Sequence, residues 1–342
     1  MSKRPTISDL ARETGLGVAT VDRALNGRSN VSARAVARVA EAAERLGYHA
    51  SGLARLRVEA KARPVKRLGF VLQKPGQAFY RNFATELEVA VAARSDVNGK
   101  TKIRFPDSQA IEAYESVIGE VADEVDALAV VAPNHPRLVE LVGRCRANGL
   151  PVFTLLNDFA QDTRAGYLGM DNLKVGRIAA WMLTTGLRQP GELAIFVGSG
   201  RWYGHMMRET GFQSYLRQNA PAFTMLDTMV NLDTRQVTYE ATLDLLNRRP
   251  DLRGIYVAGG GMEGAIAALR EVRPAGRVGL VVNELTPESR AALVDRYALM
   301  AIATPLAELC RRCVAAMLEA SSGGASFGQV FLPPDLHVPE SI

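Results

Sequence analysis

Ile7-Ser8-Asp9-Leu10-Ala11-Arg12-Glu13-Thr14, then Gly15-Leu16-Gly17, then Val18-Ala19-Thr20-Val21-Asp22-Arg23-Ala24-Leu25-Asn26: this stretch decides how the N-terminus folds. Ile7, Leu10 and Ala11 fall on one helical face, and Val21, Ala24 and Leu25 on another. Gly15 tolerates the positive φ of a tight turn. Two short helices joined by such a turn make a helix-turn-helix. A third helix is expected over Ala33–Leu46. Ser32 would cap it, Val31 would staple to Val36, and Gly47 would end it. Three helices around so small a core make a bundle of about 50 residues.

Charge gives this head a partner. The 342-residue chain has a formal net charge of +5, but residues 1–67 carry 14 Lys+Arg against 6 Asp+Glu, while the remainder is slightly acidic. A compact basic head on a mildly acidic body suits a polyanion. The exposed face of the second helix would present Val18, Ala19, Asp22, Arg23 and Asn26. Arg can pair bidentately with guanine in the major groove, and small apolar groups can touch a thymine methyl. Thr6, Thr20, Ser32 and Arg34 are placed for phosphate contacts. The competing possibility is a helical hairpin that contacts protein; turn spacing and basic charge together favour double-stranded DNA.

The runs Thr6–Ala11, Gly15–Val21, Arg23–Gly27, Val31-Ser32 and Leu46-Gly47-Tyr48 resemble the LacI family of transcriptional regulators. The resemblance implies a helix-turn-helix head, a hinge helix, a two-lobed effector domain and action as a homodimer. It implies that Val18, Ala19 and Arg23 read bases and that Asn26 contacts the backbone. Asp22 departs from the family's usual Ser. A carboxylate there is repelled by phosphate unless it pairs with Arg23 or Arg12 or accepts from a cytosine amino group. In the hinge, Leu53, Ala54 and Arg55 match, whereas Ala50 replaces the usual Pro. The later Leu arrives one position early, as Leu56, the candidate minor-groove wedge. Domains are expected at residues 1–48 (head), 49–66 (hinge and linker) and 67–342 (effector binding and dimerisation).

From Arg67 onward, short apolar runs alternate with amphipathic helices. Strands are expected at Leu68–Gln73, Lys102–Phe105, Ala127–Ala132, Val152–Leu155, Leu193–Val197, Met225–Val230, Gly254–Ala258, Val278–Val282 and Leu299–Ala303. This rhythm predicts an α/β body of parallel sheets covered on both faces, in two lobes, with a crossover near Asn157–Gly166. Ligands in such sheets bind beyond the carboxyl ends of strands. There stand Gln77, Phe79, Tyr80, Asn157, Asp158, Asn283, Glu284 and Thr304, with Arg208 on a following helix. Aromatic faces among amides, carboxylates and one Arg suit a small polyhydroxylated effector. This half also resembles, more loosely, the type I periplasmic sugar-binding fold. That resemblance implies that Arg208 and Glu284 bind sugar hydroxyls. Where relatives often have Asn-Asp before a helix, this chain has Gly259-Gly260-Gly261, a departure from a standard hexose or pentose site that points to a wider, backbone-lined pocket or to an anionic ligand.

Other classes find little support. Gly259-Gly260-Gly261-Met262-Glu263-Gly264 satisfies the dinucleotide fingerprint, with Glu284 about 20 residues on. A dinucleotide-dependent enzyme with an accessory DNA-binding head is therefore the alternative. The motif lies far from the first βα unit, however, and His49, His135, His205 and His337 are scattered. Cys310 and Cys313 fall inside an expected helix, Pro305–Ala320, which favours packing over redox chemistry. No zinc spacing, nucleophile elbow or apolar run of membrane length occurs. No cofactor, metal or membrane contact is expected. With three cysteines and no apolar leader, a cytoplasmic, ligand-responsive regulator is expected, a repressor on a near-palindromic operator.

Overall fold

The computed structural model describes residues 5–26, 28, 31–48, 63–324 and 327–342. They fall into two compact units, one of residues up to Lys66 with Arg94–Lys100, the other of Arg67–Ala93 with Thr101–Ile342. Leu53, Arg55 and Leu56 lie outside the described residues.

The head is three helices: α1 (Ile7–Thr14), α2 (Val18–Asn26) and α3 (Ala33–Arg45). Thr6 starts α1 with a reciprocal cap: its backbone N–H donates to Asp9 Oδ2 at 2.9 Å, and its hydroxyl accepts from the Asp9 N–H at 3.4 Å. Such a cap satisfies N–H groups that the first turn leaves unpaired. Gly15 ends α1 in the left-handed region at φ +62°. Ser32 caps α3 through the Ala35 N–H at 3.2 Å. Leu10, Val21, Val39, Ala42 and Ala43 are fully buried between the helices.

The body contains two sheets. The first holds β1 (Val65–Val71), β2 (Asn98–Arg104), β3 (Ala127–Val130), β4 (Val152–Leu155), β5 (Gly166–Met170) and β12 (Gly328–Leu332), in the order β12-β5-β4-β3-β1-β2. The second runs β13 (Asp335–His337), β11 (Met300–Ala303), β10 (Gly279–Asn283), β9 (Gly254–Val257), β6 (Glu192–Val197), β7 (Thr224–Met225), with β8 (Met229–Val230) also on β6. Central pairings are parallel; β13 runs antiparallel to β11. The central strands β3, β4, β9, β10 and β11 are buried along their whole length. Burial on both faces is why they read as unbroken apolar runs. The helices are α4 (Ala78–Ala92), α5 (Ile111–Ala122), α6 (Pro136–Ala147), α7 (Asn172–Gly186), α8 (Tyr203–Asn219), α9 (Arg235–Arg248), α10 (Met262–Val272), α11 (Pro287–Val294) and α12 (Leu306–Ala320).

The crossover expected near Asn157–Gly166 lies elsewhere. β5 still belongs to the first sheet, while α7 packs Val175, Ala179 and Leu183 against the second. The chain therefore changes lobe at Met170-Asp171. It returns between β11 and α12, which packs on α4 and β3, and crosses again between β12 and β13. The Asn157–Gly166 segment looks like a break because it is an irregular loop, held by an ion pair described below. The run Met225–Val230, expected as one strand, is two two-residue strands. Edge strand β12 is mostly exposed and lacks the apolar run of a central strand. Cys310 and Cys313 are buried in α12, where burial pushes both thiols up, Cys313 to about 12.

Candidate functional site

In the head, α2 turns Val21, Ala24 and Leu25 inward. Val18, Ala19, Arg23 and Asn26 are thereby left exposed, with Val18 at 51%. The Arg23 side chain has no hydrogen bond or ion pair among the described residues. Thr20 is half-buried. Asp22 takes neither Arg23 nor Arg12. It accepts from Asn26 Nδ2 at 2.7 Å and pairs with Arg28 at 3.4 Å, while Arg12 pairs with Asp9. Thr6 and Ser32 serve as helix caps at exposed positions, and Arg34 is exposed.

The body has a cleft between the ends of its two sheets, a cavity of about 110 Å³. Gln77, Phe79, Tyr80, Asn157, Arg208, Asn283, Glu284 and Thr304 all line it. Their placement comes from the layers beneath. α7 and α8 cross in backbone contact: a Cβ on Gly176 would lie 1.9 Å from the Arg208 carbonyl oxygen, and one on Gly211 would lie 2.0 Å from that of Leu173. This crossing delivers Arg208, whose Nε donates to Asn172 Oδ1 at 2.7 Å and Nη1 to the Ala258 carbonyl at 2.6 Å. Glu284 sits at φ +70°, with its carboxylate accepting from the Thr304 N–H at 2.9 Å and hydroxyl at 2.7 Å. Burial pushes its carboxyl up, and those Thr304 bonds oppose the shift.

Two lining amides serve the protein itself. Asn157 donates to the Ala132 carbonyl at 2.8 Å and accepts the Gly204 N–H at 3.0 Å, tying the first lobe to the start of α8. Asn283 accepts from the Tyr256 hydroxyl at 2.8 Å. Asp158 is not at the cleft. It is buried in a two-pronged pair with Arg164, at 2.6 and 2.9 Å, and accepts from Gln329 of β12 at 2.7 Å. Its place after a strand suggests a ligand contact; its partners make it a clasp on the edge strand.

The cleft also holds groups outside the expected set: Gln73, Lys74, Trp202, His205, Asp233 and Glu263. Lys74 follows β1 in the first lobe and Asp233 follows β8 in the second. Their side chains meet at 3.1 Å, with 17% and 8% of their area exposed. Gln77 Nε2 also donates to the Asp233 carbonyl at 3.2 Å. Both residues occupy the left-handed region, Lys74 at φ +48° and Asp233 at φ +53°, and such outliers gather at ligand clamps. His205 Nδ1 accepts the Gly198 N–H at 3.1 Å, which requires that nitrogen to be unprotonated. Burial drives its pKa down to about 4. Burial pushes the Asp233 carboxyl up, but the Lys74 ammonium and the Gly260 N–H hold it below the usual range. Lys74 and Asp233 were within reach of the post-strand rule, standing one and three residues beyond expected strands. Nothing local marks Trp202 and His205, which stand at the N-cap and in the first turn of α8.

The chain matches the model of bacterial regulatory proteins, lacI family, over residues 6–51, and that of the periplasmic binding protein domain over residues 68–325. It belongs to the lacI family of bacterial regulatory proteins. The HTH-type transcriptional regulator CelR of Thermobifida fusca is 25% identical over 290 residues, 80% of this chain and 79% of that one. Catabolite control protein A of Priestia megaterium is 36% identical over 83 residues, 24% of each chain. Two solved structures share the fold of the body. A solute-binding protein of Actinobacillus succinogenes 130z with bound D-allose has a TM-score of 0.75 at 15% identity, over 81% of this chain and 98% of its own. Another, from Bacillus halodurans C-125 with bound myo-inositol, has a TM-score of 0.71 at 17% identity, over 80% and 95%. This lacI-family protein is a DNA-binding transcription regulator with an α/β effector domain.

In this lacI-family regulator the glycine fingerprint is packed from within. Gly261 caps α10 at φ +87°, and a Cβ there would lie 2.3 Å from the Thr238 hydroxyl. The Gly260 N–H already donates to Asp233 Oδ1 at 2.9 Å. The space a pyrophosphate would need beside Gly259 is filled by Asp233 and His205. No described helix is long and apolar enough to cross a membrane.

Proposed function

We propose that the protein is a repressor that binds a near-palindromic operator as a homodimer in the cytoplasm, and that a small polyhydroxylated effector in the cleft shifts its DNA affinity. On the head, Val18, Ala19 and Arg23 read base edges, and Thr6, Thr20, Asn26, Ser32 and Arg34 stand near the DNA backbone. The observation that carries the effector assignment is the cleft lining. The aromatic faces of Phe79, Tyr80 and Trp202 stand beside Gln77, Arg208, Glu284 and Thr304, a composition suited to apolar ring faces edged with hydroxyls. D-allose and myo-inositol in the two fold relatives are ligands of that kind. No turnover is proposed, because the Gly260 N–H that a dinucleotide would engage is held by Asp233.

The ligand can shift DNA binding only by preferring one arrangement of the lobes. Selection of bound sites from random duplexes, repeated with a sugar and polyol panel, tests this. The expected result is a two-fold symmetric site whose occupancy changes with one panel member. Arg208→Ala should remove the change while leaving DNA affinity within about twofold. A response that survived Arg208→Ala would take Arg208 out of the effector site. Affinity should also fall steeply with salt, as phosphate neutralisation requires.

A further inference from the structure

We propose that Asp233 serves as the cleft's own anion, so that the effector is a neutral sugar or polyol carrying neither carboxylate nor phosphate. This rests on the assignment of the cleft as the effector site. A glycine loop opening a helix, with an ammonium beside it, is an arrangement that receives a carboxylate or phosphate oxygen. Gly259-Gly260-Gly261 before α10 and Lys74 supply those parts. The Gly260 N–H and the ammonium already face a carboxylate of the protein itself. Asp233 Oδ1 accepts the Gly260 N–H at 2.9 Å and Oδ2 accepts Lys74 Nζ at 3.1 Å.

The rest of the lining agrees. Its charged groups are Lys74 and Arg208 against Asp233, Glu263 and Glu284. His205 is neutral at pH 7, since its Nδ1 accepts a backbone N–H. Two cations among three carboxylates leave no surplus positive charge for an anion. An incoming anion would have to displace Asp233, leaving it buried beside a like charge. A neutral polyol asks for none of this. Lys74 and Asp233 belong to different lobes, so the pair joins the cleft walls while it neutralises the loop.

The test compares the full-length protein with Asp233→Asn, which keeps the shape and removes the charge. Inorganic phosphate and D-gluconate are titrated by calorimetry, beside D-glucose, D-xylose, D-allose and myo-inositol. The unaltered protein should respond to a neutral member and to neither anion at the cleft. Asp233→Asn should bind phosphate at least tenfold more tightly than the unaltered protein, and adding Lys74→Met should abolish that gain. The double variant separates cleft binding from phosphate held on the basic head. An unaltered protein that binds gluconate or phosphate more tightly than every neutral member, in a manner removed by Arg208→Ala, overturns the proposal. So does an Asp233→Asn protein that folds and gains no phosphate affinity. If Asp233→Asn does not fold, the anion and neutral titrations of the unaltered protein decide alone. Failure of the regulator assignment has a different signature: no ligand of either class changes operator affinity, whatever the titrations show.

Discussion

The exposed face of α2 and the lining of the cleft treat polar side chains in opposite ways. On α2, Arg23 stands in solvent with no partner among the described residues, on a helix whose other face is locked into the core. In the cleft, Arg208, Asn157, Asn283, Glu284, Asp233 and Lys74 are all engaged by other protein groups. The difference follows from solvent. A surface helix offers side chains that water satisfies until DNA replaces it. Buried groups in a cleft must be satisfied internally, because an unpaired buried one costs about 1–3 kcal/mol. The head presents unpaired side chains at its surface; the cleft presents a prearranged network.

Four measurements can break or sharpen this contrast. The largest effect is expected at the α7–α8 crossing. Gly211→Val places side-chain carbon on the Leu173 backbone and should cost about 3 kcal/mol or more of stability in chemical denaturation. A cost below about 1 kcal/mol would mean that the crossing does not hold Arg208 rigidly. His205 comes next. Its folded pKa of about 4 lies below the unfolded value, so the unfolded chain binds more protons between those two values. Stability should therefore fall as pH drops from about 6.5 to about 4, by up to about 3 kcal/mol. His205→Gln should flatten that segment of the profile; an unchanged slope would show that the ring is not sequestered.

On the head, Arg23→Ala should weaken specific binding by about 1–3 kcal/mol and relax choice at one base position. Uniform loss across all sequences would make Arg23 a phosphate contact and blur the contrast. The smallest effect is expected from Thr6→Ala. Loss of the α1 cap should cost about 1 kcal/mol of head stability by thermal melting, whatever Thr6 also contributes at phosphate.

The head was legible almost residue by residue. The spacing of Leu10, Ala11, Val21, Ala24 and Leu25 reports a core made by neighbours in the chain, and both Gly15 and Ser32 do what their chemistry suggests. Asp22 was legible only as an anomaly; it accepts from Asn26 on its own helix, and its ionic partner Arg28 lies in the next segment. In the body, unbroken apolar runs marked most central strands, but the fully buried β5 escaped because two glycines interrupt its run, and edge strands β12 and β13 escaped because half-exposed strands need no such run. The lobe crossover was misplaced for a related reason. Asn157–Gly166 breaks the local rhythm, whereas the actual switch at Met170-Asp171 runs straight from strand into helix and leaves no local mark.

The order of residues alone determined the helical head, its basic charge, the α/β alternation and the strand ends where a ligand site would form. Each of these is set by interactions within one element or between adjacent ones, so periodicity and composition record them. Only the tertiary structure decided which strand-end residues face one another. It removed Asp158 to a clasp with Arg164, brought Trp202 and His205 into the cleft, and joined Lys74 to Asp233 across 159 positions of chain. Such pairings depend on where two sheets and three crossings place the backbone in space, and no local pattern in a chain encodes that distance.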